Sequence, residues 1–188
     1  MEGRFTTENN QTLPKLRSFI RATDTSGSIP LADRGKGKEP LRRAEDPESF
    51  PKGKERILFV DDEKALAFLG KQMLEQLGYE VIAMTSSMKA LKVFLAEPDR
   101  FDLVITDMTM PDMTGLVLAH ELLRIRPDIP VFLCTGFHYA ITAKTIERAG
   151  IRAFAMKPLS MRKLAEIVRK VLDHKQENSP VLFLDPAL

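Results

Sequence analysis

An α/β fold built on a five-stranded parallel sheet with helices on both faces is what this sequence predicts, from three observations. Short apolar runs recur at intervals, amphipathic stretches separate them, and two of those stretches stop at a glycine. The first run is "RILFV" at 56–60, followed by an amphipathic stretch over 63–77 that ends at Gly78. "EVIAM" at 80–84 precedes a second stretch over 87–96, and "DLVIT" at 102–106 precedes a third over 114–125. "VFLC" at 131–134 leads into 140–149, which ends at Gly150, and "RAFAM" at 152–156 leads into 160–173. Runs that are apolar throughout suit strands buried on both faces, and the strict alternation with helices requires parallel crossovers.

The 188 residues provide one domain of ordinary size with chain to spare. With 44% hydrophobic and 29% charged residues, the composition supports a sizeable core. The net charge of +2 is too small to argue for nucleic acid, and it lies wholly in residues 1–55, which hold 11 Lys and Arg against 9 Asp and Glu; the remainder is balanced at 17 each. Residues 1–53 are rich in Thr, Ser, Asn, Gly, Pro and charge without apolar period, and read as a flexible arm ahead of a domain at 54–175, with a tail at 176–188. Within the arm, "LPKLRSFI" at 13–20 reads as loop rather than as a helical turn, and Gly35–Lys38 lacks the spacing of a phosphate-binding loop. The tail "QENSPVLFLDPAL" is too short for a DNA-binding module, and its "VLFL" reads as a sticky peptide or as disorder. A single cysteine, Cys134, inside an apolar run suits a buried thiol in a reducing compartment. No apolar segment approaches the length of a membrane span, and no leader pattern opens the chain, so a cytoplasmic protein without direct nucleic-acid or membrane binding is expected.

In a doubly wound sheet, ligands gather beyond the carboxyl ends of the strands. The first run stops at Asp61-Asp62-Glu63, the third at Asp107, the fourth at Thr135 and the fifth at Lys157-Pro158. Each residue has an ordinary reading: the acids as helix caps, Asp107 and Asp112 as turn residues, Thr135 as a core hydroxyl, Lys157 as a solvated charge. Jointly, those readings do not explain why all of them fall at one edge. Hard carboxylate oxygens suit Mg²⁺, which would offset the repulsion between Asp62 and Asp107. A carboxylate can attack phosphorus to form an acyl phosphate, with a lysine and a hydroxyl stabilising the phosphoryl oxygens.

"ILFVDDE", "DLVITDMTMPDMTG", "LCTG" and "AFAMKPL" resemble the signatures of the response regulator receiver domain, over about residues 55–174. The resemblance implies a doubly wound, flavodoxin-like sheet of strand order 2-1-3-4-5. It makes Asp107 the phosphoacceptor, served by a sensor histidine kinase or a phosphotransfer protein. Asp62, Asp107 and the backbone carbonyl of Thr109 become Mg²⁺ ligands, and Asp61 acts through water. Lys157 pairs with the phosphoryl oxygens, Pro158 follows a cis peptide bond, and Thr135 and Phe154 form the switch. Thr109 and Phe137 occupy the two positions that vary among receivers and tune phosphoryl lifetime. The phrasing is also similar to receivers of hybrid sensor kinases, so residues 1–53 could be the remnant of such a junction.

The expected function is a phosphorylatable signalling module that offers a changed surface to a downstream protein, with at most autophosphatase activity. A haloacid-dehalogenase-type aspartyl phosphatase would need an aspartate where Thr109 stands. An unphosphorylated interaction domain of the same fold would not need the full set Asp61, Asp62, Asp107, Thr135 and Lys157. His120-Glu121 lacks the second histidine of a zinc motif because Arg124 stands there, and His138 and His174 are isolated. The methionines fall in or beside core segments and need no cofactor.

Overall fold

The computed structural model describes residues 50–136, 143–174 and, for the backbone, 181–183. Strand β1 (Arg56–Val60) is followed by helix α1 (Lys64–Gln76), β2 (Glu80–Met84), α2 (Ser87–Ala96) and β3 (Leu103–Asp107). Next come α3 (Gly115–Ile125), β4 (Val131–Thr135), α4 (Ala143–Arg148), β5 (Ala153–Met156), α5 (Met161–Asp173) and β6 (Val181–Phe183). All pairings are parallel, in the order β2-β1-β3-β4-β5-β6. The expected five-stranded order is therefore present, with one strand added at the β5 edge.

Side chains alternate across the sheet, and each face meets its own helices. Ile57, Phe59, Leu103, Ile105, Phe132, Cys134, Ala153 and Ala155 pack in one cluster with Leu74 of α1 and Leu164, Val168 and Leu172 of α5. Leu58, Val60 and Val104 face the other way, onto Phe94 of α2 and Leu118 and Leu122 of α3. Val131, Leu133 and Phe154 share that second face with Ile146 of α4. This explains why the strands read as unbroken apolar runs: both faces are covered.

The helices begin where a hydroxyl can satisfy a free backbone donor. Ser86, Thr114 and Ser160 accept from the N–H groups of Lys89, Val117 and Lys163 at the starts of α2, α3 and α5. Helix α5 buries Leu164, Ala165, Ile167, Val168, Val171 and Leu172, the spacing of a single apolar stripe. Each fully buried aliphatic side chain contributes about 1.5–3 kcal/mol. Gly78 and Gly150 follow α1 and α4 with φ of 91° and 69°, the left-handed turn that stops a helix.

Two segments differ from expectation. Phe50, assigned by sequence to the arm, is only 7% exposed and belongs to the cluster under α5. From it, a strap descends along α5: the Arg162 guanidinium lies 5.3 Å from the Phe50 ring centroid, and Arg169 bonds Glu55 at 2.8 Å. Gly53 donates to the carbonyl of Leu77 at 3.0 Å. The core thus draws on chain ahead of residue 54. The second difference is β6, within the stretch read as a sticky peptide or disorder; a three-residue run lies below the length at which alternation or apolar content marks a strand. Residues 1–49, with the arm proper, and Phe137 and His138 lie outside the described residues. Among the described residues, no helix is long and apolar enough to cross a membrane.

Candidate functional site: an acidic cluster at the carboxyl ends of the strands

Alternation carries Asp61 beyond Phe59, Asp107 beyond Ile105 and Lys157 beyond Ala155, all toward the α1 and α5 face. The Lys157 ammonium lies 2.5 Å from Asp61 Oδ2 and 2.5 Å from Asp107 Oδ1. Asp61 Oδ1 accepts from the backbone N–H of Glu63 at 3.1 Å, so Asp61 satisfies the helix entry and also pairs with the cation. Asp107 Oδ2 accepts from the N–H of Thr109 at 2.7 Å, which leaves Oδ1 to Lys157.

Electrostatically the cluster is costly. Burial pushes the Asp61 carboxyl above its ordinary value, and the nearby Asp107 charge adds to this, while Lys157 opposes both without cancelling them. Burial also works against the Lys157 ammonium, but its hydrogen bonds to Asp107 and Asp61 outweigh that and raise it. Asp61 and Asp107 are 1% and 8% exposed, so one lysine serves two nearly buried acids.

The backbone around Asp107 is set by its neighbours. Gly115 donates to the carbonyl of Met108 at 2.9 Å, and a Cβ at Gly115 would overlap the carbonyl oxygen of Asp107. Glycine is therefore required for α3 to start this close to the acid. Asp112 in the intervening loop has φ 64°, a left-handed conformation that aspartate tolerates. The Lys157–Pro158 peptide bond is cis.

A cavity of about 520 Å³ opens here, lined by Asp61, Asp62, Glu63, Asp107, Thr109, Gly136, Lys157 and Pro158. It continues into an apolar groove along α1 and the start of α5, past Leu66, Leu69, Gly70, Met73, Leu159 and Leu164. Six sequence candidates are thus brought together: Asp61, Asp62, Asp107, Thr109, Lys157 and Pro158. Thr135 and Phe154 are not among the lining residues. Thr135 is 1% exposed and follows Leu133 on the opposite face, where the Phe154 ring is 4% exposed in the cluster with Leu133 and Ile146. Sequence reading missed the groove and the place of Cys134 in the cavity wall. The parity of the β4 run held the signal, since Cys134 and Asp107 are register partners. Burial pushes the Cys134 thiol up to about 12, so it is no nucleophile.

Whether a cation fits can be judged from the donors. No three His, Cys, Asp or Glu side chains among the described residues form a metal cluster by themselves. Asp62 and Asp107, with Thr109 beside them in the wall, offer hard oxygens next to a desolvated acid, a set that suits a divalent ion retaining several waters. The donor chemistry therefore fits Mg²⁺.

Comparison with known proteins identifies the family. The chain is 31% identical over 121 residues to the sensor kinase CckA of Brucella abortus, covering 64% of this chain and 13% of that protein. It is 32% identical over 131 residues to the transcriptional regulatory protein ZraR of Salmonella typhimurium, covering 70% of this chain and 29% of that protein. Among solved structures, the response regulator TrrA of Thermotoga maritima in complex with Mg²⁺-BeF matches with a TM-score of 0.57 and 32% identity, over 63% of this chain and 99% of that one. The chain thus spans less than a third of the length of these two curated relatives. Residues 57–169 match the family described as the response regulator receiver domain, well over half of the 188 residues, and the chain belongs to that family.

Proposed function

We propose that this receiver accepts a phosphoryl group on Asp107 from a phosphohistidine of a sensor histidine kinase or phosphotransfer protein, and signals through a changed protein-binding surface. The observation that carries this reading is the Lys157 ammonium held against Asp107 Oδ1 in a cavity open to solvent. In the transfer, a bond forms between an Asp107 carboxylate oxygen and phosphorus while the bond from phosphorus to the donor imidazole nitrogen breaks. Asp107 needs no proton removed, because its carboxylate is already the nucleophile. Lys157 exchanges its carboxylate partner for a phosphoryl oxygen and stabilises the charge there. Asp61 holds Lys157 in place during that exchange.

Mg²⁺, when bound, neutralises the charge that accumulates among carboxylates and phosphoryl oxygens. Asp62, Asp107 and the Thr109 carbonyl would hold it, with Asp61 acting through water. Thr135 and Phe154 would form the switch on the opposite face, and any hydrolysis of the acyl phosphate would be autophosphatase activity only. A cytoplasmic location agrees with a single buried cysteine and a kinase donor.

The test uses acetyl phosphate with Mg²⁺ and prompt intact-mass measurement, because acyl phosphates are labile. One phosphoryl group is expected on the wild type and none on Asp107→Asn. EDTA is expected to suppress the reaction, and Lys157→Met to slow it about a hundredfold. Equal modification of Asp107→Asn would refute the assignment.

A further inference from the structure

The added strand has no role in the phosphoacceptor chemistry, yet it sits at an informative place. Helix α5 returns the chain to the end of the sheet where parallel strands begin, and Val181–Phe183 then pairs in parallel with β5. The run is followed by Pro186 and preceded by Pro180, which limit how far a ladder can extend. Three paired residues make a weak strand, one that can leave without unfolding the sheet. Without it, β5 would present an open row of backbone donors and acceptors, the usual site at which another strand adds.

The register gives the contact its meaning. Leu182 pairs with Phe154, and Phe154 pairs with Leu133, two residues before Thr135. The docked segment therefore flanks the backbone of the switch aromatic on its outer side. With the segment docked, the Phe154 ring is buried among Met108, Leu133 and Ile146. In the switch reading, the Thr135 hydroxyl moves toward a phosphoryl oxygen and the space it leaves admits the Phe154 ring, so a buried ring belongs to the phosphorylated state.

We infer that the outer edge of β5 is a strand-binding site whose resident ligand is the chain's own Val181–Phe183 segment, and that docking of this segment and phosphorylation of Asp107 favour one another. The second half rests on the phosphoacceptor reading. Both equilibria act on Phe154, so whatever phosphorylation adds to docking, docking returns to phosphorylation. The segment is thus a cis ligand that sets how readily the receiver responds.

The full chain would be compared with two full-length variants. Val181→Pro/Leu182→Pro removes ladder donors, and Val181→Gly/Leu182→Gly/Phe183→Gly keeps the donors but removes strand preference. Hydrogen exchange would be followed by mass spectrometry in peptides spanning 152–156 and 179–184, with and without Mg²⁺ and beryllofluoride. Expected results are faster exchange of the β5 peptide in both variants, slower exchange of both peptides in beryllofluoride-treated wild type, and about fivefold more beryllofluoride for half-maximal response in the variants. Equal β5 exchange in all three unmodified chains would overturn the strand-binding site. A wild-type chain that takes no phosphoryl group from acetyl phosphate would overturn the phosphoacceptor reading and the linkage together. Normal phosphorylation of all three chains, with half-maximal response and tail exchange unchanged, would overturn the linkage alone.

Discussion

Asp61 divides its two carboxylate oxygens between a backbone donor and an ammonium, and this division shows how one residue can be both a helix-entry group and part of the acidic cluster. Glu55 shows the same economy at the far end of α5, where its carboxylate receives Arg169 at 2.8 Å and the Lys54 N–H at 2.9 Å. Burial opposes ionisation of Glu55, but those hydrogen bonds outweigh it and hold the carboxyl below its ordinary value. A depressed acid contributes stability above its unfolded pKa and loses it as pH falls through the folded value. Glu55→Gln is therefore expected to cost about 1 kcal/mol at pH 7, with the difference from wild type shrinking as pH falls below the ordinary glutamate range. Urea unfolding at a series of pH values measures this, and a constant difference would disprove the pairing. At this scale the sequence was informative about charge and poor about facing. Asp61, Asp107 and Lys157 could be placed together because each follows a buried strand, whereas the turning of Thr135 away from the cavity depended on where β4 starts its alternation.

The elements themselves were legible wherever apolar period and a stopping glycine agreed, as in α1 with Gly78. They were not legible where a single residue or a very short run did the packing. Phe50 is one aromatic in a polar stretch, and only the α5 surface beneath it makes it part of the core. A chain starting at Lys54 should thus be less stable than one starting at Pro47, by about 3 kcal/mol if Phe50 behaves as other large core aromatics do. Thermal melting of both would show it, and equal midpoints would mean that the strap contributes nothing. Both chains should accept phosphate, because neither lacks a residue of the acidic cluster.

For the molecule as a whole, the central matter is that the proposed acceptor and the proposed switch occupy opposite faces of one sheet. Asp107 and Lys157 line the cavity toward α1 and α5, while the Phe154 ring packs with Ala119 of α3 and Ile146 of α4, and Thr135 follows Leu133 on that same face. The two can therefore be separated by mutation. Thr135→Ala is expected to be phosphorylated on Asp107 yet to respond weakly: the proposed switch moves its hydroxyl to a phosphoryl oxygen, and losing that charge-assisted hydrogen bond forfeits about 1.5–3 kcal/mol, or roughly tenfold to hundredfold in the equilibrium. Amide chemical shifts along residues 143–160 after beryllofluoride addition would measure the response, and a shift as large as in wild type would refute the switch role. The strand order has a further consequence for how the chain is made. After β1 and β2 pair, every later strand joins next to the one most recently synthesised, except for the single step that returns β3 to β1. A nascent chain can thus assemble its sheet in the direction of translation: once β3 is in place, one edge is always β2 and the growing edge is always the newest strand. Assembly on the ribosome should accordingly proceed in steps, with the pairing of β3 to β1 as the one event in which the chain crosses from the newest strand, β2, to the free side of an older one.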